Sequence, residues 1–205
     1  MSIFILPGMA ADASMYDDSY KIQNTIRYIN WPKYTNERTI SEISRRIISE
    51  HDIGENDIVG GSSLGGMVAA EMCRQVRVRK LILIGSTLTP GNINPVLKKI
   101  STLSGKVPVS LLQSLAGKIS PMAESRVLKM FSDADASFIQ SMCRAIFAWE
   151  GNERPNCAVA HIHGEQDKII FPPPVGADII PGAGHLIAMT HASTVVRFLK
   201  DQVCL

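Results

Sequence analysis

The chain has 205 residues, 45% of them hydrophobic and 20% charged, and a formal net charge of +2. That is enough apolar material for one buried core, in one domain with or without an insertion. The near-balance of interspersed charges argues against a surface dedicated to nucleic acid or membrane, and no apolar run reaches transmembrane length. The densest basic stretch, residues 74–80, falls between a helical pattern and a strand and reads as solvated charge at a helix C-terminus. The N-terminal run Ile3-Phe4-Ile5-Leu6 is too short for a signal peptide and has no basic flank. Cys73, Cys143, Cys157 and Cys204 are scattered without a C-x-x-C pair, the pattern of free thiols in a reducing cytoplasm.

Short apolar runs alternate with helical patterns along most of the chain. Residues 2–6 form a first predicted strand, ended by Pro7-Gly8, and residues 25–29 a second. Thr39-Ile40-Ser41-Glu42 is a capping box. The helix it opens carries Ile40, Ile43, Ile47 and Ile48 on one face. Residues 58–61 are a third strand, followed by a helix to about Val76. Leu81-Ile82-Leu83-Ile84 shows no alternation and predicts a fourth strand buried on both faces. Residues 159–163 and 178–180 are the fifth and sixth strands. Residues 193–202 are a closing helix that buries Val195, Val196 and Leu199. Strands separated by helices predict an α/β fold with a parallel, doubly wound sheet covered on both sides. The alternation breaks between 89 and 156, where only helical patterns occur, at 93–103, 110–118, 122–131 and 135–149. The chain thus divides into an α/β core, residues 1–88 and 157–205, and a helical insertion, 89–156, expected to cap it.

The third strand runs into Gly61-Ser62-Ser63-Leu64-Gly65, which fits G-x-S-x-G, the nucleophile elbow. A strand-to-helix turn this tight presses backbone on backbone two residues either side of the central serine, where only glycine, without a Cβ, fits. Centred on Ser63, both flanks are glycine; centred on Ser62, one flank is Leu64. Ile58 and Val59 supply the strand before the turn, and Met67, Val68, Ala69 and Ala70 the helix after it. The spacing therefore selects Ser63 as the nucleophile.

Such a serine needs a base, itself oriented by an acid. His185 lies in the glycine-rich loop Pro181-Gly182-Ala183-Gly184-His185, after the sixth strand, where the C-terminal edge of the sheet presents it. His51 ends an amphipathic helix as a cationic cap, and His191 starts the closing helix in solvent. His161 and His163 share one face of the fifth strand. With no further ligand cluster beside them, they fit sheet packing or bonding to a site residue better than a metal. Asp167, in the turn Gly164-Glu165-Gln166-Asp167 just past the fifth strand, suits the acid, with Glu165 as its rival. Asp133 and Asp135 read as caps of the last helix of the insertion, and Asp178 lies within a strand. The chain order Ser63, Asp167, His185 is that of the α/β-hydrolase triad.

With these residues in place the sequence resembles the α/β-hydrolase superfamily over nearly its whole length. Phe4-Ile5-Leu6-Pro7-Gly8-Met9 looks like the oxyanion loop, Gly61 to Gly65 like the elbow, His163-Gly164-Glu165-Gln166-Asp167 like the H-G-x-x-D acid turn, and Gly182-Ala183-Gly184-His185 like the G-x-G-H base loop. The resemblance implies an oxyanion hole from the backbone N–H groups of Met9 and Leu64, and a second strand lying outside the first. The chain departs from the family pattern at two points. Pro7-Gly8 replaces the usual His-Gly, and the first strand corresponds to the family's third, so a reduced sheet of about six strands is expected.

Together these features predict a serine hydrolase cleaving a small ester through an acyl-enzyme, with no cofactor, no metal and a small-molecule substrate carrying an apolar acyl part. A thioesterase, C–C hydrolase, amidase or lyase uses the same triad. A non-catalytic small-molecule-binding relative is the remaining class, although no triad member is missing. Leu97, Leu103, Leu111, Leu112, Met122, Met130, Phe131, Phe138, Met142 and Phe147 are candidates for an acyl pocket, most of them as core of the insertion.

Overall fold

A computed structural model of the chain describes residues 1–22, 26–97 and 121–203. Six strands, β1 (Ile3–Leu6), β2 (Ile26–Tyr28), β3 (Ile58–Ser62), β4 (Lys80–Ile84), β5 (Ala158–Gly164) and β6 (Asp178–Ile180), form one open sheet in the order β2-β1-β3-β4-β5-β6. Every neighbouring pair is parallel. The expected parallel, doubly wound sheet is what the chain forms, with β2 outside β1. Thr25, at the start of the second predicted strand, lies outside the described residues.

The sheet is buried on both faces because its side chains divide by strand periodicity. Phe4, Leu6, Val59, Leu81 and Leu83 join one apolar cluster, with helices α1 (Ile40–His51) and α2 (Leu64–Gln75). Ile3, Ile5, Ile58, Ile82 and Ile84 join another, with the short α5 (Ile187–Thr190) and the closing helix α6 (Ala192–Val203). The capping box at the start of α1 closes as predicted. The Glu42 amide donates to Thr39 Oγ1 (3.1 Å), and the Thr39 amide donates to Glu42 Oε2 (3.2 Å). Ile40, Ile43 and Ile47 are fully buried beneath it, and Ile48 packs at the margin.

Within 89–156, helices α3 (Pro121–Asp133) and α4 (Ala136–Ala148) match the last two helical patterns. Phe138, Met142, Ile146 and Trp149 turn one face of α4 into the first cluster. Two expectations are corrected here. Ile93 does not begin a helix; the predicted helix starts two residues later, and 95–97 are helical. Pro90–Asn92 is a single 3-10 turn, and Ile93 then forms an isolated antiparallel bridge with Ile170. The amides of Asn94 and Phe171 donate to the carbonyls of Ile169 and Asn92 (2.9 and 2.7 Å). Cross-strand pairing outcompetes helix for this β-branched residue next to Pro90-Gly91. Asp133 caps nothing; it ends α3 paired with Lys129 one turn back (2.7 Å), and Asp135 alone caps α4, accepting from the Ser137 and Phe138 amides. The rest of the 93–103 pattern beyond 97, and all of 110–118, lie outside the described residues.

Candidate active site

The elbow forms where β3 meets α2. Ser63 has φ 51° and ψ −119°, a strained conformation for a residue with a Cβ. The glycines on either side make it possible. A Cβ on Gly61 would lie 2.5 Å from the Gly65 carbonyl carbon and 2.7 Å from the Leu6 oxygen, and one on Gly65 2.6 Å from the Leu6 oxygen. The turn is also held through its backbone. The Ser63 amide donates to the Ile84 carbonyl (3.1 Å), and the Ser86 hydroxyl donates to the Ser63 carbonyl (2.6 Å).

The two adjacent serines are sorted by their partners. The buried Ser62 hydroxyl lies 2.8 Å from the Tyr16 hydroxyl, which itself donates to the Leu6 carbonyl (2.7 Å), so Ser62 is the donor of the pair. Burial pushes the Tyr16 phenol well above its ordinary range. Ser63 Oγ instead lies 3.0 Å from His185 Nε2, and His185 Nδ1 lies 2.7 Å from Asp167 Oδ2.

The acid and base loops meet backbone to backbone beyond β5 and β6. A Cβ on Gly164 would strike the carbonyl oxygens of Gly184 and Ala183, and the Gln166 amide donates to the Ala183 carbonyl (2.8 Å). This is the physical need for the glycine in H-G-x-x-D. Asp167 is buried, and its Oδ1 accepts from the amides of Ile169 (2.9 Å) and Ile170 (3.0 Å). Burial by itself would raise its pKa. The His185 charge, the hydrogen bonds from His163 and His185 and the Ile170 amide outweigh burial and hold the carboxyl below the usual carboxylate range. The rival Glu165 is exposed and accepts from the Gly182 amide (2.8 Å), bracing the base loop from outside.

Met9 follows the turn at Pro7-Gly8, where a Cβ on Gly8 would sit 3.7 Å from Ser63 Cβ. The turn is fixed by the Trp31 indole N–H donating to the Gly8 carbonyl (3.0 Å) and by the Ala11 amide on the same oxygen (3.3 Å). Among the described residues, the amides of Met9 and Leu64 donate to no protein acceptor. Helix α2 starts at Leu64, so its first free amides and positive dipole end lie at the serine.

The remaining histidines separate. His51 ends α1 with its ring 5.7 Å from that of Phe4. His191 stands at the start of the closing helix, its carbonyl accepting from the Thr194 and Val195 amides (3.0 and 3.1 Å), but it is half-buried rather than in solvent, with Nδ1 2.9 Å from Thr190 Oγ1. His161 and His163 are hydrogen-bonded to each other (3.0 Å), and His163 Nε2 reaches the Ile170 carbonyl (2.9 Å) and Asp167 Oδ2 (3.1 Å). Among the described residues, no three His, Cys, Asp or Glu side chains gather as a metal site, and no helix is long and apolar enough to cross a membrane.

Above Ser63 and His185 lies a cavity of about 170 Å3. Of the candidate pocket residues, Leu97, Met130, Phe131 and Phe147 line it, whereas Phe138 and Met142 belong to the core. Leu103, Leu111 and Leu112 lie outside the described residues, and nothing is described of the Met122 side chain. Met9, Ile146 and Ile187 join a wall that, among the described residues, carries no Asp, Glu, Lys or Arg side chain. The contacts of Tyr16, Ser86 and Trp31 have no signal in the sequence, whereas the approach of His163 to Asp167 is the contact with a site residue expected of the His161–His163 pair. Only the His163 contact had a local signal, its place in H-G-x-x-D.

No protein-family model matches the chain, and no curated protein does. Solved structures resemble it over nearly its full length. A lipase-esterase related protein from Clostridium acetobutylicum superposes with TM-score 0.81 at 11% identity, covering 98% of this chain and 93% of the other. A hydrolase from Oleispira antarctica gives 0.79 at 14% identity, covering 98% and 89%. The enol-lactonase from Burkholderia xenovorans gives 0.71 at 16% identity, covering 100% and 92%. With its strand order, these likenesses establish that the chain has the α/β-hydrolase fold.

Proposed function

We propose that this protein is a serine hydrolase of small carboxylic esters with an apolar acyl group, and that 89–156 caps the site. The observation that carries this reading is the unbroken chain Ser63 Oγ, His185, Asp167, at 3.0 and 2.7 Å, on the floor of an apolar cavity. Ser63 attacks the ester carbonyl and passes its proton to His185 Nε2. Asp167 holds the imidazole with its other nitrogen protonated and stabilises the imidazolium. The Met9 and Leu64 amides receive the oxyanion, each such donor contributing on the order of 3 kcal/mol to the transition state. His185 protonates the departing alcohol and then activates the water that releases the acid. Thioester, amide or C–C cleavage uses the same machinery; the ester reading is favoured because the enol-lactonase and the lipase-esterase related protein are among the structures this fold resembles. The free thiols Cys73, Cys143 and Cys157 suit a cytoplasmic setting. The test is a panel of p-nitrophenyl esters of graded acyl length, with Ser63→Ala as the control. Turnover that survives Ser63→Ala would falsify the assignment of the nucleophile, and no turnover of any ester removes the esterase reading.

A further inference from the structure

Asp167 has a second histidine against it besides His185. Its Oδ2 is shared: His185 Nδ1 lies 2.7 Å away on one side and His163 Nε2 3.1 Å away on the other. The His163 side chain, like that of Asp167, is completely buried. His163 Nε2 also faces the Ile170 carbonyl at 2.9 Å, and the Ile170 amide donates back to Asp167 Oδ1. Both groups before Nε2 are acceptors, so Nε2 carries a proton. Its Nδ1 lies 3.0 Å from His161 Nε2. The His161 pKa is pushed down to about 4 by burial and by its neighbour His163, against the Ser86 backbone, which pulls it up.

We propose that His163 is a positioning residue that sets the basicity of His185 by sharing the Asp167 oxygen. This rests on the reading of Ser63, His185 and Asp167 as a catalytic triad. The physical link is competition for one acceptor. The His163 N–H, bonded to the Ile170 carbonyl and 3.1 Å from Oδ2, draws on charge that would otherwise stabilise the His185 imidazolium, so His163 keeps His185 a weaker base and ready to return its proton to the leaving group. Three further contacts lock the carboxylate: the Ile169 and Ile170 amides on Oδ1, and the His163–Ile170 bond that ties the ring to the same turn. Among the described residues, the titratable groups facing this cluster are His161, His163, Asp167 and His185 themselves. Glu165 is engaged with the Gly182 amide, and Lys168 is exposed.

The test replaces His163 with phenylalanine, which keeps a ring but no donor, and with glutamine, whose amide can restore a donor toward Asp167. His163→Phe is expected to move the acid limb of the kcat/KM profile up by about half a pH unit or more, and to lower kcat while KM holds. His163→Gln is expected to return both toward the wild type. Ring-nitrogen NMR of the wild-type protein gives a second readout that needs no substitution and no turnover: His163 protonated at Nε2. The same spectra give the His185 pKa in each folded variant. An unmoved His185 pKa in His163→Phe, a glutamine variant no better than phenylalanine, or a wild-type His163 unprotonated at Nε2 overturns the proposal. If His163→Phe does not fold, the wild-type tautomer and the glutamine profile decide. Failure of the hydrolase reading shows separately, as no ester turnover and no labelling of Ser63 by a fluorophosphonate.

Discussion

Replacing Gly61 by alanine sets a methyl group 2.5 Å from the Gly65 carbonyl carbon, 2.7 Å from the Leu6 oxygen and 2.9 Å from the Gly65 Cα. All three atoms are backbone, so no side chain can rotate away. To restore ordinary contact the start of α2 must move off the end of β3 by roughly an ångström, which as overpacking costs about 2–3 kcal/mol. In a domain of this size each kcal/mol lowers Tm by about 3 °C. The same movement lengthens the 3.0 Å approach of Ser63 Oγ to His185, and a displacement of that order costs about 100-fold in rate. Gly54→Ala is the matched control, because a Cβ there meets nothing within 4 Å. The assay is kcat/KM on a short p-nitrophenyl ester beside calorimetric unfolding. If Gly61→Ala matches Gly54→Ala in both, backbone crowding does not shape the elbow.

Ser63→Ala is expected to abolish both turnover and fluorophosphonate labelling with Tm within a degree or so of the wild type, since Oγ holds no part of the fold together. Trp149→Phe removes the indole donor to Glu71 Oε2 (2.9 Å), a buried carboxylate whose other partner, Arg74, is 3.7 Å away; a loss of about 1–3 kcal/mol in denaturant unfolding is expected. Glu37 is opposed by burial, but the Thr35 amide and the Arg46 guanidinium bring its pKa down to about 2. Its folded pKa is depressed, so its stabilisation is full above about 4.5 and fades as pH falls toward 2; in Glu37→Gln, Tm should flatten across that window. His161, with its pKa lowered from 6.5 to about 4, also binds its proton less readily when folded. Stability worth on the order of 3 kcal/mol is therefore lost as pH drops from 6.5 to 4, and His161→Gln should remove that slope from urea titrations.

What could be read before any coordinates depended on how local each cause is. Leu81 to Ile84 announced a strand buried on both sides because burial there is a property of consecutive residues. The elbow showed because Gly61 and Gly65 meet across a single turn, and Asp167 and His185 because each follows a strand end in a glycine-marked loop. The hydroxyl of Tyr16 on Ser62, the indole of Trp31 on Gly8 and the Ser86 hydroxyl on the Ser63 carbonyl join segments between 23 and 46 residues apart in sequence. No periodicity encodes such pairings. Ile93 misled because a β-branched residue at the edge of a helical pattern satisfies helix spacing equally well until Ile170 offers it a strand partner. Asp133 misled because the capping preference of aspartate does not say which of two nearby carboxylates will use it.

Helix α2 is buried without a break from Leu64 to Cys73, and its N-terminus is the floor on which Ser63 stands. Amides in such a helix exchange with solvent only when the sheet itself opens. The two halves of the site therefore differ in kinetic persistence. Ser63 and the Leu64 amide last as long as the global fold, whereas His185 hangs on a loop between a three-residue strand and a four-residue helix. Any inactivation that precedes unfolding must enter through the histidine side. Hydrogen exchange followed alongside activity on gentle heating would see protection lost around His185 while α2 remained closed.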